Sequence, residues 1–166
     1  MPSTSTIRSA TAEDTSLILG FIRDLAAYEK LSHEVTATED DLRRNLFGEN
    51  SVAEALLLFE GKNPAGFAVF FHNFSTFLGK PGIYLEDLFV HPLYRKKGYG
   101  KALLTHLAAL AIERGCGRFE WSVLDWNQPS IDFYRGLGAR PMEDWTVFRL
   151  DGDALEALGR STKAIH

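Results

Sequence analysis

The 166-residue sequence lacks several features that would indicate particular protein classes. Cys116 is the only cysteine, which excludes an intrachain disulfide and a cysteine-based zinc site and predicts a reducing, cytoplasmic location. The longest unbroken apolar run, residues 65–71, is far shorter than the ~18 residues that cross a bilayer, so no membrane segment is expected.

The sequence also has few clustered basic residues and no histidines at the spacing of metal ligands. The formal net charge is -4, and the one basic cluster is Arg95-Lys96-Lys97, which argues against a nucleic-acid partner. The 5 histidines are scattered without the spacing of metal ligands, so no metal is expected. Hydrophobic residues make up 45% of the chain, and no repeat or linker interrupts it, which predicts one globular domain over residues 1–166.

The hydrophobic pattern predicts helices and strands in mixed order. Apolar residues at helical spacing from Leu17 to Leu25 predict a first helix, with a start signal at Thr11 and Asp14. A long helix is predicted from Leu103 to Ala111, ended by a glycine at position 115. Further helices are predicted over residues 38–47, 130–136 and 151–158, and strands over residues 52–60, 65–72, 83–90, 119–124 and 146–150. These elements predict an α/β domain with a mixed sheet, in which hairpin pairing comes first and crossover helices follow.

The loop over residues 91–99 joins a buried strand to the long helix and carries the most informative motif. Its two glycines, Gly98 and Gly100, let successive backbone N–H groups converge on an anion, and the helix N-terminus adds further donors. A dinucleotide fingerprint is excluded because Leu103 stands where a third glycine is needed, and a nucleoside-triphosphate loop is excluded because Ala102 follows Lys101. A plain glycine turn and a phosphate or pyrophosphate site remain open.

The motif reads Arg-x-x-Gly-x-Gly from Arg95 to Gly100, and with it the chain resembles the GNAT superfamily of acetyl-CoA-dependent N-acetyltransferases. Residues 84–90, residues 125–134 and the pair Tyr28-Glu29 resemble its spermidine/spermine (diamine) acetyltransferase branch. The resemblance implies a single GNAT-type domain with a mixed, largely antiparallel sheet that is splayed at the acetyl-CoA site and flanked by helices. It also implies acetyl-CoA as co-substrate and a homodimer.

Two adjacent acids, Glu86 and Asp87, interrupt an apolar strand. A buried carboxylate needs a partner, so one of them could cap a neighbouring amide while the other faces solvent. Strand side chains alternate between faces, so both acids can line one cleft only if a bulge breaks the alternation. The resembling family has such a bulge, and by that likeness Glu86 takes the amine proton through water while Asp87 helps to seat a cationic substrate.

The resemblance also assigns the remaining site residues. Tyr134 would be the general acid that protonates the departing thiolate, although Phe133 and Tyr134 also read as adjacent core aromatics, with Phe133 the better core residue. The implied cofactor contacts are the backbone amides of Leu88, Phe89 and Val90, then Arg95, Lys96, Lys97, Gly98, Tyr99, Gly100 and Lys101, and finally Asn127 and Ser130, which are equally good helix-start caps. The implied substrate contacts are Tyr28, Glu29, Glu86, Asp87, Glu120, Trp121, Ser122 and Glu143.

The function implied is acetyl transfer from acetyl-CoA to a primary amine of a small cationic substrate, by direct attack and without an acyl-enzyme. Polyamines and diamines come first as substrates. The alternatives are a GNAT enzyme that acts on thialysine, another amino acid, an antibiotic or a protein, and a CoA-binding module without turnover.

Overall fold

A computed structural model describes residues 4–161, which form two compact units, residues 4–124 and residues 125–161. The first unit contains, in chain order, β1 (Ser5–Ser9), α1 (Thr15–Tyr28), α2 (Glu39–Phe47), β2 (Glu54–Glu60), β3 (Asn63–Ser75), β4 (Lys80–Val90), α3 (Tyr99–Glu113) and β5 (Arg118–Trp121). The second unit contains α4 (Gln128–Gly136) and α5 (Gly152–Arg160). Short 3-10 turns span Ala12–Asp14, Ser32–Glu34 and Pro92–Tyr94.

The five strands form one sheet in the order β1-β2-β3-β4-β5. Strands β1 to β4 pair antiparallel, and β5 runs parallel to β4. Two parallel neighbours need a crossover connection, and α3 supplies it. The predicted α/β class with a mixed, largely antiparallel sheet is therefore confirmed.

Helices α1 and α3 of the first unit lie on opposite faces of the sheet, and α2 packs on the same side as α1. Helix α1 packs through Ile18 and Phe21 against Leu57, Phe67 and Phe89 of the central strands. The rings of Phe21 and Phe67 stack with their centroids 5.3 Å apart. Burial of such side chains contributes about 1.5–3 kcal/mol each, so this layer holds α1 against the sheet.

Helix α3 packs against β3 and β4 on the other face of the sheet. Its fully buried residues are Leu103 and Leu107, at the spacing that predicted the helix. Phe70 is buried on the same side, one residue beyond Val69 along β3, where alternate side chains point to opposite faces. The start of α3 is thereby held beside the end of β4.

Two predicted helix starts are found where the residue types indicated them. Asp14 accepts a hydrogen bond of 2.8 Å from the backbone N–H of Thr11, which opens a 3-10 turn, and α1 follows at its end. Thr38 caps α2, because its hydroxyl accepts from the Asp41 N–H at 3.2 Å and the Asp41 carboxylate accepts from the Thr38 N–H at 2.9 Å. Such reciprocal capping satisfies N–H groups that have no acceptor inside the helix.

The prediction of a strand over residues 146–150 is wrong. This segment adopts no regular structure, and every residue from 140 to 161 is exposed. A β-strand forms when its backbone groups find a neighbouring strand, and hydrophobic composition alone does not supply one. The other four predicted strands form with different bounds: β2 begins later, at Glu54, β3 continues to Ser75, β4 begins earlier, at Lys80, and β5 ends at Trp121. The N-terminal strand β1 was not predicted.

Over residues 4–161, no helix combines the length and the apolar character that a membrane crossing requires.

Candidate active site

A β-bulge lies in the middle of β4. Val69 of β3 pairs with Asp87, and the next residue, Phe70, pairs with Leu85, so Glu86 is the extra residue on β4. A bulge opposes two residues of one strand to a single residue of its neighbour and breaks the strict alternation of faces. The bulge that the two acids require in order to line one cleft is therefore present.

Three carboxylates meet beside this bulge. Burial raises the pKa of Asp87 to about 6, and the neighbouring negative charges of Glu86 and Glu29 contribute to the same rise. Burial also raises the pKa of Glu29, which follows the last residue of α1. Glu86 itself is exposed. Three neighbouring carboxylates, one of which has its pKa raised by burial and by the charges of the other two, form a site that favours a cation.

Arg95 connects this cluster to the glycine loop. Its guanidinium lies 5.1 Å from the ring centroid of Tyr28, at the end of α1, and 5.4 Å from that of Phe89. Its Nε donates a hydrogen bond of 2.9 Å to the carbonyl of Val90. The first residue of the motif is therefore packed against a predicted amine-contact residue, Tyr28, and against the end of β4.

The glycine loop contains two left-handed residues, a feature of backbone turns that bind anions. Lys96 and Gly98 both adopt left-handed conformations, with φ of 64° and 82°. Alternation of left-handed residues with others points successive N–H groups toward one side and creates an anion-binding nest. The left-handed conformation costs Lys96 about 1–2 kcal/mol, because this residue, unlike glycine, carries a Cβ.

The N-terminus of α3 extends this donor set. The first main-chain bond of the helix runs from the Ala102 N–H to the Gly98 carbonyl, at 2.9 Å. The N–H groups of residues 99–101 precede it and have no acceptor within the helix. We call residues 95–101 the cradle. Its amides, its helix dipole and the nearby lysines Lys96 and Lys101 fit a diphosphate group such as that of CoA.

The sheet opens next to the bulge. Strand β5 pairs with β4 only along Gly82–Leu85, and no pairing of β5 with Glu86–Val90 is found in the described residues. The outward edge of β4 at Leu88, Phe89 and Val90 is therefore not covered by β5. This is where the predicted splay of the sheet lies, between the bulge and the cradle.

Two predicted substrate contacts in and just after β5, Glu120 and Ser122, form side-chain hydrogen bonds to β3 and β4. The hydroxyls of Tyr84 and Ser122 lie 2.7 Å apart, and the Asn73 side-chain amide donates to Glu120 Oε1 at 3.3 Å. The ring of Trp121 lies 4.9 Å from that of Phe119. Sequence reasoning did not single out Asn73 or the Tyr84–Ser122 contact, since they depend on the register of strands far apart in the chain.

The second unit carries the other predicted residues. Asn127 is buried at 6% exposure, and its side-chain oxygen accepts from the Ser130 N–H at 3.4 Å as α4 begins. The expectation that Phe133 is the core residue is wrong, since Phe133 is 39% exposed while Tyr134 is half-buried. The Glu143 carboxylate lies 3.9 Å from the Arg135 guanidinium.

Residues 20–139 match the model of the acetyltransferase (GNAT) family. The chain belongs to this family. It is therefore an acetyltransferase, and acetyl-CoA is the co-substrate that the GNAT family uses. In residues 4–161, no group of three or more His, Cys, Asp or Glu side chains is placed to hold a metal ion.

Curated relatives of this GNAT chain include acetyltransferases of small amines. It is 39% identical to a thialysine N-epsilon-acetyltransferase of Sus scrofa, over 92% of this chain and 95% of the relative. It is 34% identical to an L-ornithine N5-acetyltransferase of Arabidopsis thaliana, over 94% of this chain and 88% of the relative. A spermidine/spermine N(1)-acetyltransferase-like protein of Homo sapiens is 34% identical over 90% of this chain but only 23% of its own length.

A solved structure supports the same fold. An integron cassette protein from the mobile metagenome of V. cholerae superposes with a TM-score of 0.79 at 29% identity, covering 97% of this chain and 99% of that chain.

Proposed function

We propose that the chain transfers the acetyl group of acetyl-CoA to a primary amine of a small aliphatic cation. The observation that carries this proposal is the cluster of Glu29, Glu86 and Asp87 beside the open edge of β4, next to a cradle suited to a diphosphate. Carboxylates on one side and anion-binding amides on the other match the two reactants, a cationic amine and a CoA thioester.

The amine must lose a proton before it can attack. An alkyl amine with a pKa near 10.4 pays about 4.6 kcal/mol to become neutral at pH 7. In the proposed reaction Glu86 accepts that proton through water, and Asp87 holds the cationic substrate. The neutral nitrogen then forms a C–N bond to the thioester carbonyl carbon as the C–S bond breaks. The second proton that the nitrogen loses on becoming an amide passes to water, and water returns a proton to Tyr134 after it has protonated the sulfur.

The departing sulfur takes a proton from the Tyr134 hydroxyl. A phenol is about 1.5 pKa units weaker as an acid than a thiol, so this donation is mildly uphill without help from the site. One of the amides of Leu88, Phe89 and Val90 stabilises the negative charge that develops on the carbonyl oxygen. Asn127 and Ser130 contact the CoA moiety in this proposal.

Among acceptors, thialysine and ornithine now stand ahead of polyamines, because the relatives covered over most of their length bear those two names. Both acceptors carry a terminal primary amine and a second cationic group. Three carboxylates suit such a molecule, and they suit a polyamine by the same chemistry. Proteins and antibiotics are the alternative acceptors.

Thiol release from acetyl-CoA tests the proposal. Thialysine, ornithine, putrescine, spermidine, an aminoglycoside and a lysine peptide are compared at equal concentration, and release is expected with at least one of the first four. Tyr134→Phe should lower turnover substantially and leave acetyl-CoA affinity near that of the unchanged protein.

Release with the peptide or the aminoglycoside alone would exclude the small-amine assignment. Tight CoA binding without release on any acceptor would indicate a binding module. Equal turnover of Tyr134→Phe and the unchanged protein would remove Tyr134 from the mechanism.

We also infer that the protein is a homodimer. Large apolar side chains are exposed along residues 142–158 and call for a covering surface: Met142, Trp145, Val147, Phe148, Leu150, Leu155 and Leu158. A cytoplasmic location, expected from the single cysteine, stays a prediction.

A further inference from the structure

Glu60 makes three short contacts with the loop that carries the motif. It is the last residue of β2, and its carboxylate accepts from Lys97 Nζ at 3.1 and 2.9 Å through its two oxygens. The Tyr99 hydroxyl donates to the same carboxylate at 2.6 Å. Sequence reasoning missed Glu60, which lies 37 residues before Lys97.

The two partners of Glu60 stand on either side of Gly98. Gly98 holds the left-handed conformation that opens α3, with φ of 82°, and Tyr99 is the first residue of that helix. One carboxylate therefore fixes both flanks of the turn whose amides form the cradle. The start of the loop is fixed separately, by the bond from the His91 N–H to the Ala65 carbonyl at 2.8 Å.

The contact between Tyr99 and Glu60 is shielded from solvent, whereas the Lys97 side chain is 41% exposed. Tyr99 is only 5% exposed, and the Glu60 side chain is 22% exposed. Hydrogen bonds to an ionised carboxylate are shorter and about twice as strong as neutral ones. The hydrogen bonds that the Lys97 ammonium donates to Glu60 also raise the pKa of Lys97.

We propose that Glu60 is a positioning residue that sets the affinity for acetyl-CoA by holding Lys97 and Tyr99 in the geometry of the cradle. Glu60 contacts neither reactant in this assignment. Its benefit is preorganisation, because a loop that is already ordered does not have to be ordered when the ligand binds. The inference rests on the proposed function, since the ligand of the cradle is the CoA diphosphate.

A carboxylate close to a diphosphate could instead weaken binding by repulsion. The two possibilities predict opposite changes when the charge is removed. Lys97 already neutralises Glu60 at salt-bridge distance, so the loss of order should exceed the loss of repulsion.

The test compares three variants by calorimetric titration with CoA and by steady-state kinetics. Glu60→Gln removes the charge and keeps the shape, and Tyr99→Phe removes only the hydroxyl. Each should raise the Kd for CoA about 5- to 20-fold, the effect of a lost charge-assisted hydrogen bond. For Glu60→Gln, the acceptor KM and the kcat at saturating acetyl-CoA should stay within about 2-fold, and the double variant should bind CoA no more weakly than the poorer single variant.

Glu54→Gln is the matched control. Glu54 is the first residue of the same strand, and it forms a bidentate pair with Arg114 at 2.7 and 2.9 Å. Its loss should lower the melting temperature and leave the Kd for CoA unchanged. This control separates positioning of the cradle from a general loss of stability.

Unchanged or tighter CoA binding by Glu60→Gln would overturn the inference while leaving the proposed function intact. An equal rise in the acceptor KM would also overturn it, since the effect would then not be specific to the cradle. If the unchanged protein takes up no CoA, the proposed function fails together with this inference.

Discussion

At the residue scale, Asp87 holds a charge that costs the folded protein stability. Burial and two neighbouring carboxylates raise its pKa from 3.8 to about 6. A shift of about two units corresponds to about 3 kcal/mol. Because the pKa of Asp87 is higher in the folded state, its contribution to stability is greatest below pH 3.8, where Asp87 is protonated in both states. This contribution is lost as the pH rises through about 6 and Asp87 ionises. An ionised Asp87 is therefore a liability for folding, which argues that the side chain is kept for function.

Asp87→Asn should therefore make the protein more stable and less active. At pH 8 the free energy of unfolding should rise by up to about 3 kcal/mol, the gain should shrink between pH 6 and 4, and the acceptor KM should rise at pH 8. Urea unfolding across this pH range and acceptor kinetics measure the two effects.

Glu86→Gln is the matched control, because Glu86 is exposed and its removal should change stability far less. If Asp87→Asn is no more stable than the unchanged protein at pH 8, ionisation of Asp87 does not destabilise the folded state. If the acceptor KM is also unchanged, Asp87 does not seat the amine.

At the element scale, a residue just after the end of α1 also lowers the stability of the folded protein, here through its backbone conformation. Lys30 adopts φ of 62°, and the bond from the Leu31 N–H to the Ala26 carbonyl at 2.8 Å closes the helix in the manner of a Schellman motif. Glycine is the usual residue at this left-handed position, because any Cβ is strained there. The strained residue directly follows Tyr28 and Glu29, two predicted acceptor contacts.

Lys30→Gly should stabilise the protein by about 1 kcal/mol relative to Lys30→Ala. The alanine variant removes the same side-chain contacts and keeps the Cβ, so the difference between the two variants isolates the backbone effect. Chemical denaturation of both variants measures it. Equal stability of the glycine and alanine variants would contradict a strained left-handed residue at position 30.

The elements differ in how far local sequence predicts them. Helices α1 and α3 and the hairpin of β2 and β3 were predicted because their apolar spacing and turn residues act within a few positions along the chain. The strand expected over residues 146–150 has the right composition, yet it lacks a partner in the described chain. A strand is thus a property of its neighbours as well as of its residues.

In the candidate site, too, some features can be predicted from local sequence and others depend on residues far apart in the chain. The two glycines of the cradle leave a plain turn and an anion site open, and the family resemblance favours the anion site. Gly98 holds a left-handed conformation, which its residue type permits, but the second left-handed residue is Lys96, and Gly100 lies within α3. The bulge followed from the pair Glu86 and Asp87 together with the family resemblance. Glu60 carries no comparable signal, since its role depends on the hairpin bringing the end of β2 beside the loop.

At the scale of the whole molecule, residues 142–158 expose more apolar surface than an isolated chain would keep in water. Trp145, Val147 and Phe148 are 74%, 87% and 92% exposed. Val147 and Phe148 are adjacent, so pairing of this segment as a β-strand would direct them to opposite faces and make both faces apolar. Such a segment is typical of a strand that is covered on both faces.

The exposed area is large enough for a dimer interface. A stable interface buries about 800 Å² per partner, and a buried aromatic side chain supplies about 150–250 Å². Trp145 and Phe148 alone would supply roughly half of the area that one partner needs. In a two-fold symmetric dimer, the segment of each chain buries the same segment of the other chain. The exposed apolar surface of both chains is then removed from water.

Phe148→Lys should therefore convert the proposed dimer to a monomer at low micromolar concentration, because burying an unpaired ammonium in an apolar interface is strongly unfavourable. Ile112→Lys is the control, as Ile112 is 81% exposed in the last turn of α3 and lies outside the segment. Sedimentation velocity gives the mass of each species. A monomeric unchanged protein at tens of micromolar, or a Phe148→Lys variant that remains dimeric, would show that residues 142–158 do not hold two copies together.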